Sequence, residues 1–240
     1  DKATQMIIDR SGDLVIAGST NNTADQTENA YALKVDPADG TLIWEMDYDE
    51  GGGIQSGYDI AESPQGGYLI VGNNQQAGQN ANLYFIKIAD DGSKQWSKTY
   101  TSDVLAEGNT IRNSHDGGYI VSGYILTQNK GKEGYLVKVD AEAEMLWSRS
   151  FGTDHPDNFS SLALMPDNGF LCIGNINQFF SIENSYDDLW LLKTDADGNK
   201  VWEKRLGGEL GDGGTDLIRS QDGGYVLVGE TSSFTAESRL

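Results

Sequence analysis

Apolar residues in this chain fall in short runs separated by glycine, aspartate and asparagine, as in Tyr68-Leu69-Ile70-Val71, Tyr119-Ile120-Val121 and Tyr225-Val226-Leu227-Val228. Such runs are too short for helices, and their aromatic and β-branched content predicts strands. They show little alternation, so these strands must be covered on both faces. No segment combines a helical period with caps, so the cover has to come from other sheets.

The runs recur. Trp44, Trp96, Trp147 and Trp202 are spaced 52, 51 and 55 residues apart. Ahead of them lie Lys34, Lys87, Lys138 and Lys193, and three residues before each lysine stands an aromatic: Tyr31, Tyr84, Tyr135 or Trp190. Gly18, Gly72, Gly123, Gly174 and Gly229 each close an apolar run, and Met6, Ile60, Ile111, Leu162 and Leu217 stand 12 residues before them. A repeat of this period is one supersecondary unit stacked on its neighbours. Each unit reads as four strands, A to D, with Asp-Gly turns between C and D at Asp39-Gly40, Asp91-Gly92 and Asp197-Gly198. Ala143-Glu144 stands at that turn in the third unit, which predicts a tighter or strained connection. The lysine column is expected to lay its stems on neighbouring sheets and to pair with carboxylates.

The fold class predicted is therefore all-β: a β-propeller of four-stranded antiparallel blades of about 51–55 residues, with blades at 1–53, 54–104, 105–155 and 156–211 and a half-blade at 212–240. The tryptophans are expected to pack between adjacent blades. Strands C and D of a fifth blade are missing from the pattern. Two readings of this stay open: a piece of a longer protein, or a ring completed by a partner chain that pairs with the open half-blade.

The run of strand, Asp222-Gly223-Gly224-Tyr225, apolar strand, polar stretch, Tyr135-Leu136-Val137-Lys138-Val139-Asp140, turn and tryptophan resembles the tandem propeller repeats of secreted bacterial and archaeal proteins. Ala32-Leu33-Lys34-Val35-Asp36 through Gly40 to Trp44 also resembles the tryptophan-docking repeat of quinoproteins. The first resemblance implies a secreted or cell-surface location and, by analogy with such blades, places strand A at the centre and strand D at the rim.

Composition narrows the partners. A formal charge of −20 disfavours nucleic acid. No apolar stretch is long enough to insert in a membrane. The single cysteine, Cys172, lies in an apolar run and reads as an inert core residue. His115 and His155, the only histidines, fall in different kinds of turn and form no shared metal site or triad.

Candidate chemistry sits on the B–C and D–A connections. The B–C stretches 19–30, 73–82, 124–134 and 175–188 read as long polar loops. Asn73, Asn74, Gln75, Phe179, Phe180 and Tyr186 offer amides and aromatic faces suited to a sugar. The D–A loops carry Asp49, Asp103, Asp154 and Asp212, oxygen donors of the kind Ca²⁺ accepts, and no other cofactor is indicated. Asp195-Ala196-Asp197-Gly198-Asn199 departs from the EF-hand spacing and reads as a hairpin turn. With no catalytic constellation in view, the expectation is a non-catalytic surface module that binds a protein or a glycan through the B–C and D–A loops. The alternative is an enzyme, hydrolase or quinoprotein-like, with its active site in the channel or in blades beyond this chain.

Overall fold

The computed structural model describes residues 1–22, 27–101, 105–128, 130–181 and 184–233. Among them every regular element is a strand. The strands fall into repeats: β1 (Lys2–Ile8), β2 (Leu14–Asn22), β3 (Thr27–Val35) and β4 (Leu42–Tyr48); β5 (Ile54–Glu62), β6 (Tyr68–Gln75), β7 (Asn82–Ile88) and β8 (Lys94–Tyr100); β9 (Ala106–Asn113), β10 (Tyr119–Thr127), β11 (Gly131–Val139) and β12 (Met145–Phe151); β13 (Asn158–Leu164), β14 (Phe170–Ser181), β15 (Asn184–Thr194) and β16 (Lys200–Leu206); then β17 (Asp212–Arg219) and β18 (Tyr225–Thr231). Each repeat is an antiparallel meander joined by short turns. The chain forms two compact units, residues 1–113 with 141–143, and residues 114–140 with 144–240.

In the first unit, Val15, Ala17, Ala30, Ala32, Trp44 and Tyr48 of β2 to β4 form one core with Ile60, Tyr68, Ile70, Tyr84, Ile86 and Ile88 of β5 to β7. One sheet thus covers the flat side of the next. In the second unit β14 shows why the apolar runs do not alternate with polar residues. Phe170, Cys172 and Ile176 pack with Ile120 and Leu136 of β10 and β11, while Leu171 and Ile173, on the opposite face, pack against Leu217, Tyr225 and Leu227 of β17 and β18. Cys172 is fully buried in the first of these clusters, and burial alone drives its thiol pKa far upward.

Trp44 and Trp147 meet the next repeat at its C–D turn. The Trp44 indole N–H donates to the Asp90 carbonyl at 3.0 Å, and its ring lies 6.3 Å from Tyr68. A β-carbon on Gly92 would run into that indole, so this glycine is required by its φ of 82° and by the ring as well. Trp147 repeats the arrangement against Gly198 and Phe170. Trp96 is half-buried, with the Lys98 ammonium 5.6 Å from its ring centre. Trp202 is 37% exposed, because among the described residues no C–D hairpin follows β18. Ala143, at the turn without glycine, sits at φ 55°, the strained left-handed conformation expected there.

The lysine column pairs with carboxylates at three of its four positions, and in all four the bond goes to the A–B turn of the same repeat. Lys34 pairs with Asp9 at 2.8 Å and Asp13 at 3.0 Å, Lys138 with Asp116 at 2.9 Å, Lys193 with Asp167, and Lys87 donates to the Gly66 carbonyl. The B–C stretches are mostly extended hairpins rather than loops: β14 and β15 stay in register from Phe170 opposite Thr194 to Phe179 opposite Ser185, and past a bulge Ser181 faces Asn184. A bulge also interrupts strand A of the first, second, fourth and fifth repeats, between Ala3 and Gln5, Gly57 and Asp59, Phe159 and Ser161, and Gly214 and Asp216.

Candidate functional site

The extended β14–β15 hairpin rises beside the start of β17 and the end of β18 in the second unit. Between them lies an open cleft of about 450 Å³. Asn175 and Asn177 of β14, Tyr186 and Asp187 of β15, Asp212 of β17 and Glu230 of β18 line it. Asn177 donates to the Asp187 carboxylate at 2.8 Å, and Asn175 Oδ1 accepts the Gly214 N–H at 3.0 Å.

Two nearly buried carboxylates meet at this place. Asp188 is 3% and Asp212 5% exposed. A β-carbon on Gly207 would collide with an oxygen of each, so the absence of a side chain at Gly207 lets the pair approach. Their proton affinities diverge. Burial raises the pKa of Asp188, and repulsion from Asp212 raises it further, with the Arg205 guanidinium opposing. Burial also raises that of Asp212, but hydrogen bonds outweigh it and the net shift is downward. The Gly208 N–H donates to Asp212 Oδ2 at 2.8 Å and the Ser233 hydroxyl at 2.6 Å. Asp212 Oδ1 is buried with no hydrogen-bond partner among the described residues.

The repeat supplies an internal comparison. One unit earlier the corresponding positions are Glu133 and Asp157. There Asp157 accepts from the N–H groups of Thr153 and Asn177 and from the Thr153 hydroxyl, and Glu133 accepts from Lys130 and Ser150. Asp157 therefore fastens a turn. Asp212 holds the equivalent turn through Oδ2, and hydrogen bonding from the Thr231 side chain also lowers its pKa. Burial raises the pKa of Asp157 and of Asp59 as well, and Asp59 is likewise engaged: it accepts from the Ile60 and Ile111 N–H groups and from Arg112.

Of the residues singled out from sequence, Tyr186 and Asp212 come together at this cleft. Asn73 and Asn74 are buried in the first unit, where they donate to the Tyr58 hydroxyl and to Thr99, and Gln75 bonds the Gln79 carbonyl. Asp49 accepts the Gly51 N–H in its own turn, and Asp154 is exposed. Asp103 and the side chains of Phe179 and Phe180 lie outside the described residues. Among the described residues no three His, Cys, Asp or Glu side chains cluster to hold a metal ion. Asp188 was missed. Its signal was a polar column, Asn29, Asn82, Glu133 and Asp188, two residues before the aromatic of each strand C.

A smaller hollow of about 290 Å³ lies at the turns around Ser114, His115, Lys138 and Phe170. The Lys138 ammonium there is already neutralised by Asp116, whose pKa falls to about 2; burial opposes that fall, and bonds from Ser114 and Lys138 drive it.

No protein-family model matches the chain, and no curated protein sequence does. Solved structures do share its fold. An α-L-arabinanase from Penicillium chrysogenum, complexed with arabinobiose, is 12% identical with a TM-score of 0.62, over 93% of this chain and 87% of that one. An endo-arabinase from Bacteroides thetaiotaomicron is 13% identical with a TM-score of 0.51, over 95% and 87%. A mannose phosphorylase from Leishmania mexicana is 10% identical with a TM-score of 0.53, over 95% and 79%. The fold is that of a β-propeller, incomplete among the described strands. These neighbours, named as enzymes, correct the expectation of a non-catalytic module, although at 10–13% identity the likeness itself shows the fold alone. Among the described residues no helix is long and apolar enough to cross a membrane.

Proposed function

We propose that the chain belongs to a glycan-acting enzyme of the hydrolase type, with the cleft beside β14, β15, β17 and β18 as its active site. One observation carries this reading: two buried carboxylates, Asp188 and Asp212, meet beside an open polar cleft with their proton affinities driven apart. Glycoside hydrolysis uses such a pair, one carboxyl protonated to donate to the leaving oxygen and one ionised. Asp188, its proton held by burial and by its neighbour, is the donor. Asp212, held as an anion by its hydrogen bonds, is the base or nucleophile. Asn175, Asn177 and Tyr186 supply amides and a ring face for hydroxyls and C–H groups of a sugar. The likeness to an arabinanase, an endo-arabinase and a mannose phosphorylase supports the choice of a glycan as substrate.

The test is hydrolysis of a polysaccharide panel that includes arabinan, read as reducing ends released. The chain should cleave at least one member, and Asp188→Asn and Asp212→Asn should each lower the rate by about 10²–10⁴-fold while the thermal melt stays cooperative. Unchanged turnover in both variants would remove the cleft from consideration. A secreted or surface location is part of the same proposal and would be read from fractionation of the native source.

A further inference from the structure

The complete repeats show, by comparison, what β18 lacks. In each of them strand B is paired on both edges, by strand A and by strand C. Among the described residues β18 pairs with β17 alone, and its other edge is open. An open strand edge is a template for pairing with another chain. The strand-C lysine of a complete repeat bonds the A–B turn, Lys138 at Asp116 and Lys193 at Asp167. Asp222 holds the same place in the fifth A–B turn. It is exposed, and among the described residues it accepts from Ser220 and Gly224 of that turn, with no lysine. Trp44 and Trp147 each close on the glycine of the following C–D turn, whereas Trp202 is left 37% exposed against 9% for Trp44. Tyr48 and Tyr100 likewise donate to carbonyls of the following turn, those of Gly92 and Ala143, while every residue of β16 is exposed.

We propose that this end of the second unit docks a β-hairpin from another polypeptide, built like the chain's own C and D strands. The first strand of that hairpin adds to β18 through main-chain hydrogen bonds. A lysine opposite Val226, the place that Lys193 takes opposite Leu171, reaches Asp222. A glycine turn five residues after that lysine, the spacing of Lys87 to Gly92 and of Lys193 to Gly198, closes on the Trp202 indole. A second copy of this chain is a poor donor, because β3–β4, β7–β8, β11–β12 and β15–β16 are each already paired with a strand B of their own. The edge, the carboxylate and the indole each ask for one feature, and the hairpin carries all three at a fixed spacing.

Isothermal titration of the full chain with a synthetic peptide carrying residues 187–206 tests it; that peptide holds Lys193, Gly198 and Trp202 of the fourth hairpin. The peptide should bind and should slow amide hydrogen exchange along β18, while a scrambled peptide should do neither. Lys193→Met in the peptide or Asp222→Asn in the chain should each weaken binding by about three- to fivefold. The two together should weaken it no more than either alone, since a single pair is removed. Asp222 is exposed, so its variant keeps the fold. Gly198→Ala in the peptide should weaken binding by about tenfold or more, through collision with the indole. No binding up to about 1 mM, additive losses in the double variant, or protection that falls elsewhere than β18 would each overturn the proposal. So would self-association of the chain in analytical ultracentrifugation with β18 protected, which would give the edge to a second copy.

Discussion

Asp188 is a carboxyl group that folding makes harder to ionise. Asp212 and Asp187 repel its negative form, Arg205 favours it, and burial outweighs both influences. A raised carboxyl binds its proton in the native state over a pH window where the unfolded chain has lost it. Stability therefore falls as pH climbs from the ordinary aspartate value, about 3.9, to the native one, and the cost persists above that. Asp188→Asn removes the cost. The variant should melt higher than the parent at neutral pH, with the gap closing toward pH 4, as calorimetry across that range would show. A gap that widened on acidification would contradict the assignment. A substitution that kills turnover yet stabilises the fold marks a residue kept for its chemistry. Such a role could not be read from the sequence: Asp188 sits in a polar column whose other members are Asn29, Asn82 and Glu133, and only the meeting with Asp212 across Gly207 sets it apart.

At the level of elements, the strand runs and the tryptophan spacing were legible because each repeat answers to the same packing demand. β14 must be apolar on both sides, since Phe170 and Cys172 serve one neighbour and Leu171 and Ile173 the other. That the lysines pair with carboxylates was legible; which turn holds the partner was not, because periodicity reports that a position recurs and says nothing of where a long side chain turns. Nor were the bulges, whose extra residue, Thr4, Tyr58, Ser160 or Thr215, differs each time. The indole-on-turn contact yields a paired prediction. Gly92→Ala adds a methyl against the Trp44 ring at a positive φ, and should cost about 3 kcal/mol by combining overpacking with left-handed strain. Trp202→Ala, at a ring with no following turn among the described residues, should cost under about 1 kcal/mol. Urea titrations read both; equal losses would deny the turn its role in seating the indole.

At the scale of the molecule, charge and fold speak to different questions. The balance of 37 acidic against 17 basic residues leaves a net repulsion that ordered ion pairs such as Lys34 with Asp9 and Asp13 offset only locally. Raising NaCl from about 0.01 to 0.15 M shortens the screening length from about 30 to 8 Å, so the melting temperature should rise by several degrees; a fall would mean that attractive pairs dominate. The propeller was within reach of the sequence, whereas the function was not, because one scaffold carries both binders and enzymes and only a site distinguishes them. The residues of that site lie far apart in the chain, at 175–188, 207–213 and 230, and no motif joins them. Cys172 has a use of its own here. As the sole thiol, sealed in the interior of the second unit, it is a chemical clock. Its capture by an aromatic disulfide reagent would time each breathing event of that half of the chain and stay silent when the other half opens.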